Sequence, residues 1–366
     1  MQPAAKKILL SPLDWGLGHT TRCLPLARQL QTLGAQLYFA GTETQIAFFR
    51  KSAPEATFLP LEGYNVRYAQ SRQGFMPKLL RQIPGIFQSI RREHEWLLET
   101  AEKHHFDGIL SDNRYGLWHP KIPSVLLTHQ PGLKTGFGRA ADAFFARFHQ
   151  RLMRRFRDIW LVDFPEFPGL SGDLAHPSVL PQNSRYIGLL SQFEKPEISG
   201  NFPASNGLVI LLSGPEPQRS ILSQKLWEHV KEFPEIPVVF IEGKADAPER
   251  RPVSPNLRWL AQLDAAALAP LLQSVRYVIS RSGYSTLMDA AVLGLKLILI
   301  PTPGQTEQEY LGRMLFQDEK ALCFRQEDFK LKAALEAAKE FPFLPMLKKE
   351  DAWLFISVLE RWYHSL

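Results

Sequence analysis

The chain of 366 residues contains few cysteines and no long apolar run, and these absences exclude several classes of protein. Its two cysteines, Cys23 and Cys323, lie in opposite halves of the chain, which argues against a disulfide framework and is typical of a reducing compartment. No apolar run reaches the roughly 18 residues of a membrane span, and the apolar segment near the N-terminus is too short for a signal peptide. We therefore expect a cytoplasmic protein.

The sequence also lacks the short motifs of common metal sites. It contains no Asp-x-Asp, no His-Glu-x-x-His and no Cys-x-x-Cys. Helix N-termini can carry the charge of a leaving group in place of a metal ion. We expect no metal and no cofactor.

Positive charge is concentrated in the first half of the chain. Residues 1–200 hold 24 Lys and Arg against 17 Asp and Glu, whereas residues 201–366 hold 19 against 20. In the densest patch, residues 139–157, phenylalanines fall at helical spacing and the arginines Arg147, Arg151, Arg154 and Arg155 lie largely beside or opposite them. The pattern fits a core helix and also fits a helix that faces phosphate or an anionic membrane. Contact with the inner face of the cell membrane is one expectation, and nucleic acid is not an expected partner.

Short apolar segments alternate with helical patterns along the whole chain. A hydrophobic content of 45% with 22% charged residues is ordinary for a globular protein, and the length suffices for two domains. Alternating buried strands and helices predict an α/β protein with two doubly wound, Rossmann-like domains. The stretch 163–203 is rich in Pro, Gly and Ser, so we predict domains at 1–185 and 186–349, with an amphipathic helix at 350–366 that packs back on the first domain.

Ligands of open α/β sheets bind beyond the carboxyl ends of the strands, so residues that follow predicted strands are the candidates for a site. After the first strand, Gly16 and Gly18 permit a tight turn, and His19 begins a helix. Thr21 occupies the place of the third glycine of a dinucleotide fingerprint, so that type of site is not favoured. His19 is expected either to take part in chemistry or to satisfy a backbone group.

Polar residues also follow later strands of the first half. They are expected either to bind a ligand at the rim of the same site, which in a transferase would be the acceptor, or to cap loops, and they are Asp112, Asn113, Arg114, His129 and Gln130.

Two strand ends in the second half have a pattern that suits phosphate. Ser213 with Gly214, and Ser282 with Gly283, offer hydroxyls and unhindered backbone amides before a predicted helix. Asp289 follows about two turns into the second of these helices. Its carboxylate can accept paired hydrogen bonds from ribose hydroxyls, or it is a plain solvated helix residue.

The stretch "RSGYSTLMDAAVLGLKLILIPTPGQTEQEY", Arg281 to Tyr310, resembles the nucleotide-sugar signature of the MurG-like glycosyltransferases, which have a family 28 type C-terminal domain. The turn before His19 resembles the N-terminal turn of the same family. The segments "LSDNRYGLW", "LSGPEPQR" and "SRSGYSTLMD" together resemble a group of uncharacterised bacterial predicted glycosyltransferases. The resemblance implies the GT-B fold, in which two Rossmann-like domains face a cleft.

The resemblance also implies roles for individual residues. Asp289, where the family usually has Glu, would hold the ribose, and His19 would act as the general base toward the acceptor. Leu260 would contact uracil through its backbone, and Gln308 and Glu309 would face the sugar hydroxyls. The complete set of expected donor-binding residues is Ser213, Gly214, Leu260, Arg281, Ser282, Gly283, Thr286, Asp289, Gln308 and Glu309.

We therefore expect an inverting, metal-independent glycosyltransferase that uses a nucleoside diphosphate sugar. A UDP-linked sugar such as UDP-N-acetylglucosamine is the expected donor, and the acceptor is expected to be lipid-linked or a glycan. One alternative is a nucleotide-sugar hydrolase of the same fold, in which His19 activates water. A second alternative is a sugar-nucleotide-binding protein without catalytic activity.

Overall fold

The computed structural model describes residues 5–64, 72–132, 138–193, 205–214, 216–244, 247, 249–251, 254–347 and 353–366. In the ranges 72–80, 139–141, 143–145 and 205–206 it describes the backbone alone. The chain divides into two compact units. The first comprises Met1–Val66, Leu80–Gln192 and Lys349–Leu366, and the second comprises Phe193–Lys348 together with Arg67–Leu79.

The first unit contains a seven-stranded sheet in which all neighbouring strands are parallel. Its strands are β1 (Lys7–Pro12), β2 (Gln36–Gly41), β3 (Thr57–Pro60), β4 (Gly108–Asp112), β5 (Ser124–Thr128), β6 (Asp158–Leu161) and β7 (Ser184–Tyr186). They lie in the order β3-β2-β1-β4-β5-β6-β7. Every residue of β4 and β5 is buried, as expected for strands with near-continuous apolar sequences.

Helices connect these strands. They are α1 (Leu17–Thr32), α2 (Glu43–Ser52), α3 (Arg72–His104) and α4 (Arg139–Met153). Helix α2 begins with a capping box, in which Thr42 and Gln45 each bond the other's backbone N–H. No helix in the described ranges is long and apolar enough to cross a membrane.

The second unit contains a six-stranded parallel sheet in the order β10-β9-β8-β11-β12-β13. Its strands are β8 (Ser205–Leu211), β9 (Val238–Ile241), β10 (Leu257–Leu260), β11 (Val275–Ser280), β12 (Leu297–Leu299) and β13 (Leu322–Cys323). Its helices are α5 (Gln218–Lys231), α6 (Ala265–Gln273), α7 (Tyr284–Leu293), α8 (Thr306–Gln317) and α9 (Leu331–Glu340). Leu226, Phe240, Ile279 and Phe329 belong to the apolar core between sheet and helices.

The C-terminal helix α10 (Leu354–Ser365) belongs to the first unit. Trp362 of this helix lies against β4, where a Cβ on Gly108 would come within 2.6 Å of its ring. The glycine therefore makes room for the helix. Positions 350–352 of the predicted helix lie outside the described residues, and the first unit extends to Gln192, beyond the predicted limit at 185.

In each sheet there is one pair of neighbouring strands from which the strands that follow in sequence are added toward opposite edges. In the first sheet these strands are β1 and β4, and in the second they are β8 and β11. Ligands of open α/β sheets bind beyond the carboxyl ends of the strands at such a switch point. These two switch points are therefore the candidate places for a functional site.

Candidate functional site

A histidine and an aspartate meet at the switch point of the first sheet. Asp112 is the last residue of β4, and His19 lies in the first turn of α1, directly after β1. Gly16, with a φ of +87°, precedes α1 and turns the chain toward the helix. His19 Nδ1 lies 3.0 Å from Asp112 Oδ2. The sequence predicts His19 at a site, but it does not predict this partner.

The hydrogen bond fixes which ring nitrogen of His19 carries the proton. An ionised carboxylate only accepts hydrogen bonds, so Nδ1 is the donor and Nε2 has the lone pair. The His19 side chain is 15% exposed and that of Asp112 is 1% exposed. Asp112 can therefore orient His19, whereas a substrate can approach only the histidine.

Arg22 completes this cluster and is the residue that sequence reasoning missed. Its Nε donates to Asp112 Oδ2 at 2.8 Å, and its Nη2 donates to the other oxygen of the same carboxylate. Its Nη1 lies 3.1 Å from His129 Nδ1. Arg22 follows His19 by three residues on α1, which places both on one helix face. That spacing was the available signal.

Burial and charge set the protonation states of the cluster. Burial alone would raise the pKa of Asp112, but Arg22 and His19 outweigh it and hold the pKa at about 2. Burial lowers the pKa of His19, and the Arg22 guanidinium lowers it further against the opposing effect of Asp112. At pH 7 the cluster therefore contains an ionised carboxylate, a guanidinium and a neutral His19.

Two residues predicted on the acceptor side are buried and have other tasks. The Arg114 guanidinium is fully buried, pairs with Glu93 at 3.3 Å and donates to the Glu62 carbonyl oxygen at 2.7 Å. Asn113 is buried with a φ of +55° and directly follows Asp112. These side chains hold the turn after β4 rather than offer a surface to an acceptor.

The turn after β5 gives a similar result. His129 is buried beside Arg22, and its carbonyl oxygen accepts from Ser171 Oγ at 3.4 Å. Gln130 is half-buried, and its backbone N–H donates to Thr128 Oγ1 at 3.2 Å. Only Gln130 of these two retains appreciable exposure.

A cavity of about 500 Å³ lies between α3 and α4 in the first unit. Ile90 and Leu152 are buried in its wall, while Phe87 and Phe148 are 39% and 41% exposed and meet edge-to-face at 5.2 Å. Its remaining lining residues are polar or charged, namely Arg91, His94, Glu95, Arg151 and Arg155. Two arginines of the predicted basic patch thus border an apolar depression. Phe144 and Phe145 of that patch lie outside the described side chains.

The switch point of the second sheet has the open backbone that the sequence predicts. Gly214 follows β8 with a φ of +98°, and in the described part of the chain, its own neighbours aside, no atom lies within 4 Å of the place where its Cβ would stand. Gly283 follows β11 as the N-cap of α7, and a Cβ added there would meet Gln308 Nε2 at 3.9 Å. Ser213 beside Gly214 is half-buried. An anion can approach the backbone at both glycines.

Two residues predicted to bind the donor are instead used inside the protein. The Arg281 side chain is 1% exposed and donates to the carbonyl oxygens of Gln218, Ile300 and Pro301 at 2.7–3.1 Å. Burial lowers the pKa of Arg281 to about 9. Ser282 is also buried, and its hydroxyl donates to the Gln308 carbonyl oxygen at 2.8 Å. Both side chains join the end of β11 to neighbouring segments.

Gln308 and Glu309, predicted to face the sugar, hold the loop before α8. Gln308 Oε1 accepts from the Thr302 N–H at 2.9 Å, and Glu309 Oε1 accepts from the Gly304 N–H at 2.9 Å. One oxygen of each side chain is thereby engaged. The Gln308 amide nitrogen remains the part that faces Gly283.

The other predicted donor residues are partly exposed. Thr286 and Asp289 are half-buried on α7 and, three residues apart, lie on one face of that helix. Leu260 is half-buried at the end of β10, and its carbonyl oxygen accepts from the Glu242 N–H at 2.9 Å. Of the two carboxylates among the predicted donor-binding residues, Asp289 and Glu309, Asp289 is closer in sequence to the turn at Gly283.

Part of the second unit is similar to a known family of domains. Residues 218–349 match the family model "Glycosyltransferase family 28 C-terminal domain". An uncharacterised glycosyltransferase of the archaeon Methanosarcina acetivorans is 25% identical over 322 residues, covering 83% of this chain and 79% of the relative. The predicted resemblance is confirmed, although this relative is archaeal and not bacterial.

Solved structures show the fold of the whole chain. The glycotransferase of kitacinnamycin superposes with a TM-score of 0.64 at 14% identity, covering 99% of this chain and 96% of that one. MurG of Acinetobacter baumannii superposes with a TM-score of 0.55 at 12% identity, covering 99% and 100%. The predicted GT-B fold, with two parallel sheets and flanking helices, is confirmed.

Proposed function

We propose that this glycosyltransferase, whose residues 218–349 match a family 28 C-terminal domain and whose fold is GT-B, transfers a sugar, with inversion, from a nucleoside diphosphate donor to an acceptor hydroxyl. The observation that carries the proposal is the 3.0 Å hydrogen bond between His19 Nδ1 and the buried Asp112. It leaves Nε2 of a neutral imidazole as a proton acceptor, which is what a general base requires.

In the proposed reaction His19 Nε2 removes the proton of the acceptor hydroxyl while the hydroxyl oxygen attacks the anomeric carbon. The bond between that carbon and the diphosphate oxygen breaks, and the nucleoside diphosphate leaves with the electron pair. Attack opposite the leaving group inverts the configuration. Asp112 keeps the His19 ring in place and stabilises the imidazolium that forms.

We propose that the second unit binds the donor. The diphosphate would lie against the open backbone at Gly214 and Gly283, where the N-terminus of α7 favours negative charge. Asp289 would accept hydrogen bonds from the ribose hydroxyls. A UDP-linked sugar, with UDP-N-acetylglucosamine as the first candidate, is proposed from the MurG-like signature between Arg281 and Tyr310. The scheme contains no metal and no other cofactor.

Replacing Asp289 by alanine is expected to weaken nucleotide binding by about 1.5–3 kcal/mol, because hydrogen bonds to a charged group are lost. Isothermal titration calorimetry with UDP, GDP and dTDP measures this and also ranks the bases. Asp328→Ala is the matched control, since Asp328 is 73% exposed on the same unit. Wild-type affinity of Asp289→Ala for every nucleotide would exclude Asp289 from the donor site.

For the acceptor we propose an amphiphile with an apolar chain and a phosphate group, and with it contact to an anionic membrane. The support is the cavity between α3 and α4, with the half-exposed Phe87 and Phe148 beside Arg151 and Arg155. Phenylalanine rings suit an acyl or prenyl chain, and arginines suit phosphate. Both arginines belong to residues 1–200, the part of the chain in which Lys and Arg outnumber Asp and Glu.

Vesicle binding tests the membrane contact. We expect the protein to sediment with phosphatidylglycerol vesicles and not with phosphatidylcholine vesicles, and to be released by salt. The double variant Arg151→Glu with Arg155→Glu should weaken binding at least about 30-fold, at roughly 1 kcal/mol for each arginine. Arg325→Glu, at a 67% exposed position of the second unit, is the control. Equal binding to both vesicle types would exclude the contact and favour a soluble acceptor.

A further inference from the structure

Arg22 stands between two histidines of the first unit. His19 touches the carboxylate that Arg22 holds, and His129 touches the guanidinium itself, with 3.1 Å between Arg22 Nη1 and His129 Nδ1. The two histidines follow β1 and β5, which lie on either side of β4. Nδ1 of His19 thus faces a carboxylate, which accepts hydrogen bonds, whereas Nδ1 of His129 faces a guanidinium, which donates them.

The partner of His129 determines which of its two ring nitrogens carries the proton. A guanidinium has five N–H donors and no acceptor, and that of Arg22 is paired with the ionised carboxylate of Asp112. His129 Nδ1 can approach Arg22 Nη1 at 3.1 Å only as an acceptor. In a neutral imidazole the proton must then be on Nε2. For His19 the carboxylate of Asp112 requires the reverse, with the proton on Nδ1.

We infer that the Arg22–Asp112 pair assigns opposite tautomers to the two histidines, so that His19 presents a proton acceptor and His129 presents a proton donor. This inference rests on the proposed function, because His19 Nε2, the nitrogen without a proton, is the proposed general base. Arg22 is then a positioning residue that leaves His19 as the single base of the pair. Nδ1 of His129 accepts from the Arg22 guanidinium, so His129 can only donate through Nε2–H and does not remove a proton.

The surroundings of Arg22 support a fixed arrangement. With its amide oxygen toward Arg22, Asn113 accepts from Nη2 at 3.2 Å and donates to Thr128 Oγ1 at 2.9 Å. The guanidinium is thus bonded to Asp112, Asn113 and His129 at once. Since Arg22 is almost fully buried, no water competes for these bonds.

The charge of the cluster has a chemical consequence. Before the reaction the charges of the ionised Asp112 and of Arg22 cancel, and His19 is neutral. When His19 takes a proton, the cluster gains one positive charge. The buried carboxylate of Asp112, 3.0 Å from His19 Nδ1, stabilises this added charge.

Nuclear magnetic resonance of the wild-type protein tests the tautomers without any turnover. Long-range ¹H–¹⁵N correlation of the imidazoles, assigned with His19→Gln and His129→Gln, is expected to show a protonated Nδ1 in His19 and a protonated Nε2 in His129. A protonated Nδ1 in His129 overturns the inference. Because the measurement uses free protein, it can fail while His19 is still essential for turnover, or succeed while His19 is not.

Two substitutions test the part played by Arg22. Arg22→Lys keeps a cation with donors only, so both tautomers should persist. Arg22→Met removes the donor and the charge, so His129 should become a mixture of tautomers. His19 faces Asp112 from β4, Arg22 from its own helix and His129 from the turn after β5. Since Arg22 lowers the pKa of His19, its loss in Arg22→Met should move the acidic limb of the rate profile to higher pH.

In Arg22→Met the acidic limb is expected at higher pH, so that the rate on that limb falls below that of the wild type, and Arg22→Lys should retain the wild-type limb. The rate is nucleoside diphosphate release from a donor that the wild type turns over. A merely structural arginine would lower the rate at all pH values alike and leave the limb in place. That result, or unchanged His129 tautomers in folded Arg22→Met, contradicts the inference.

Discussion

Replacing His19 by glutamine is expected to lower the rate of sugar transfer about 100- to 10,000-fold, the usual contribution of a general base. Glutamine has a comparable polar side chain and no basic nitrogen, so the acceptor hydroxyl keeps its proton. Nucleotide affinity should stay within a factor of about two, under roughly 0.5 kcal/mol, because the proposed donor residues belong to the second unit. Initial rates and calorimetry measure the two effects separately.

His364→Gln is the control for this variant, because His364 is an exposed histidine of the first unit on α10. It should keep wild-type rates. If His19→Gln also keeps them, the base is another group. If His19→Gln instead loses nucleotide binding, His19 is a ligand of the donor or a structural residue, and the proposed mechanism is wrong.

Replacing Asp112 by asparagine is expected to be the second large change, in both rate and stability. An asparagine amide can donate to His19 Nδ1, which would place the proton on Nε2 and abolish the base. At the Asp–His pair of serine proteases the same change costs roughly 10,000-fold. Arg22 would also lose its buried counter-charge, which costs about 3–5 kcal/mol of unfolding free energy. Rates and urea unfolding measure the two losses.

The pH dependence of stability gives a sharper test of the same substitution. Asp112 has a pKa of about 2 in the folded protein and about 3.9 in an unfolded chain. Its stabilisation, on the order of 2 kcal/mol, is therefore present above about pH 4 and is lost as pH falls toward about 2. The wild type should lose this stability across that window, and Asp112→Asn should not.

Asp158→Asn is the control for stability, because Asp158 forms an ion pair of 3.2 Å with the half-exposed Arg185. Its loss should cost less than about 1 kcal/mol. A similar cost for both aspartates would mean that the Arg22–Asp112 pair contributes no more than a surface pair. The account of a rigid, charge-balanced cluster around His19 would then fail.

The fold was largely predictable because its signals are local. Apolar segments such as β4 and β5 alternate with amphipathic helices, and buried parallel strands need little else to be recognised. Gly16, Gly214 and Gly283 were also predictable as turn residues after strands, since only glycine leaves such backbone open. The exact end of the first unit was less accessible, because the segment around residues 185–192 has no periodic pattern.

The site was predictable only where a residue's position in the chain determines its surroundings. His19 follows from the turn after β1, but the roles of Asp112 and Arg22 depend on a pairing between β4 and α1 that no local pattern encodes. Arg281 and Ser282 show the converse case. A motif places them at the switch point, yet burial turns their side chains inward to backbone carbonyl groups.

The most direct test of the central claim is release of UDP from UDP-N-acetylglucosamine, measured with and without a membrane lipid extract as the source of acceptor. The account predicts that the extract accelerates release by the wild type, and that His19→Gln abolishes this acceleration while binding UDP normally. Acceleration of His19→Gln to the wild-type rate would contradict it, as would wild-type release that is equally fast without extract, since water would then be the acceptor.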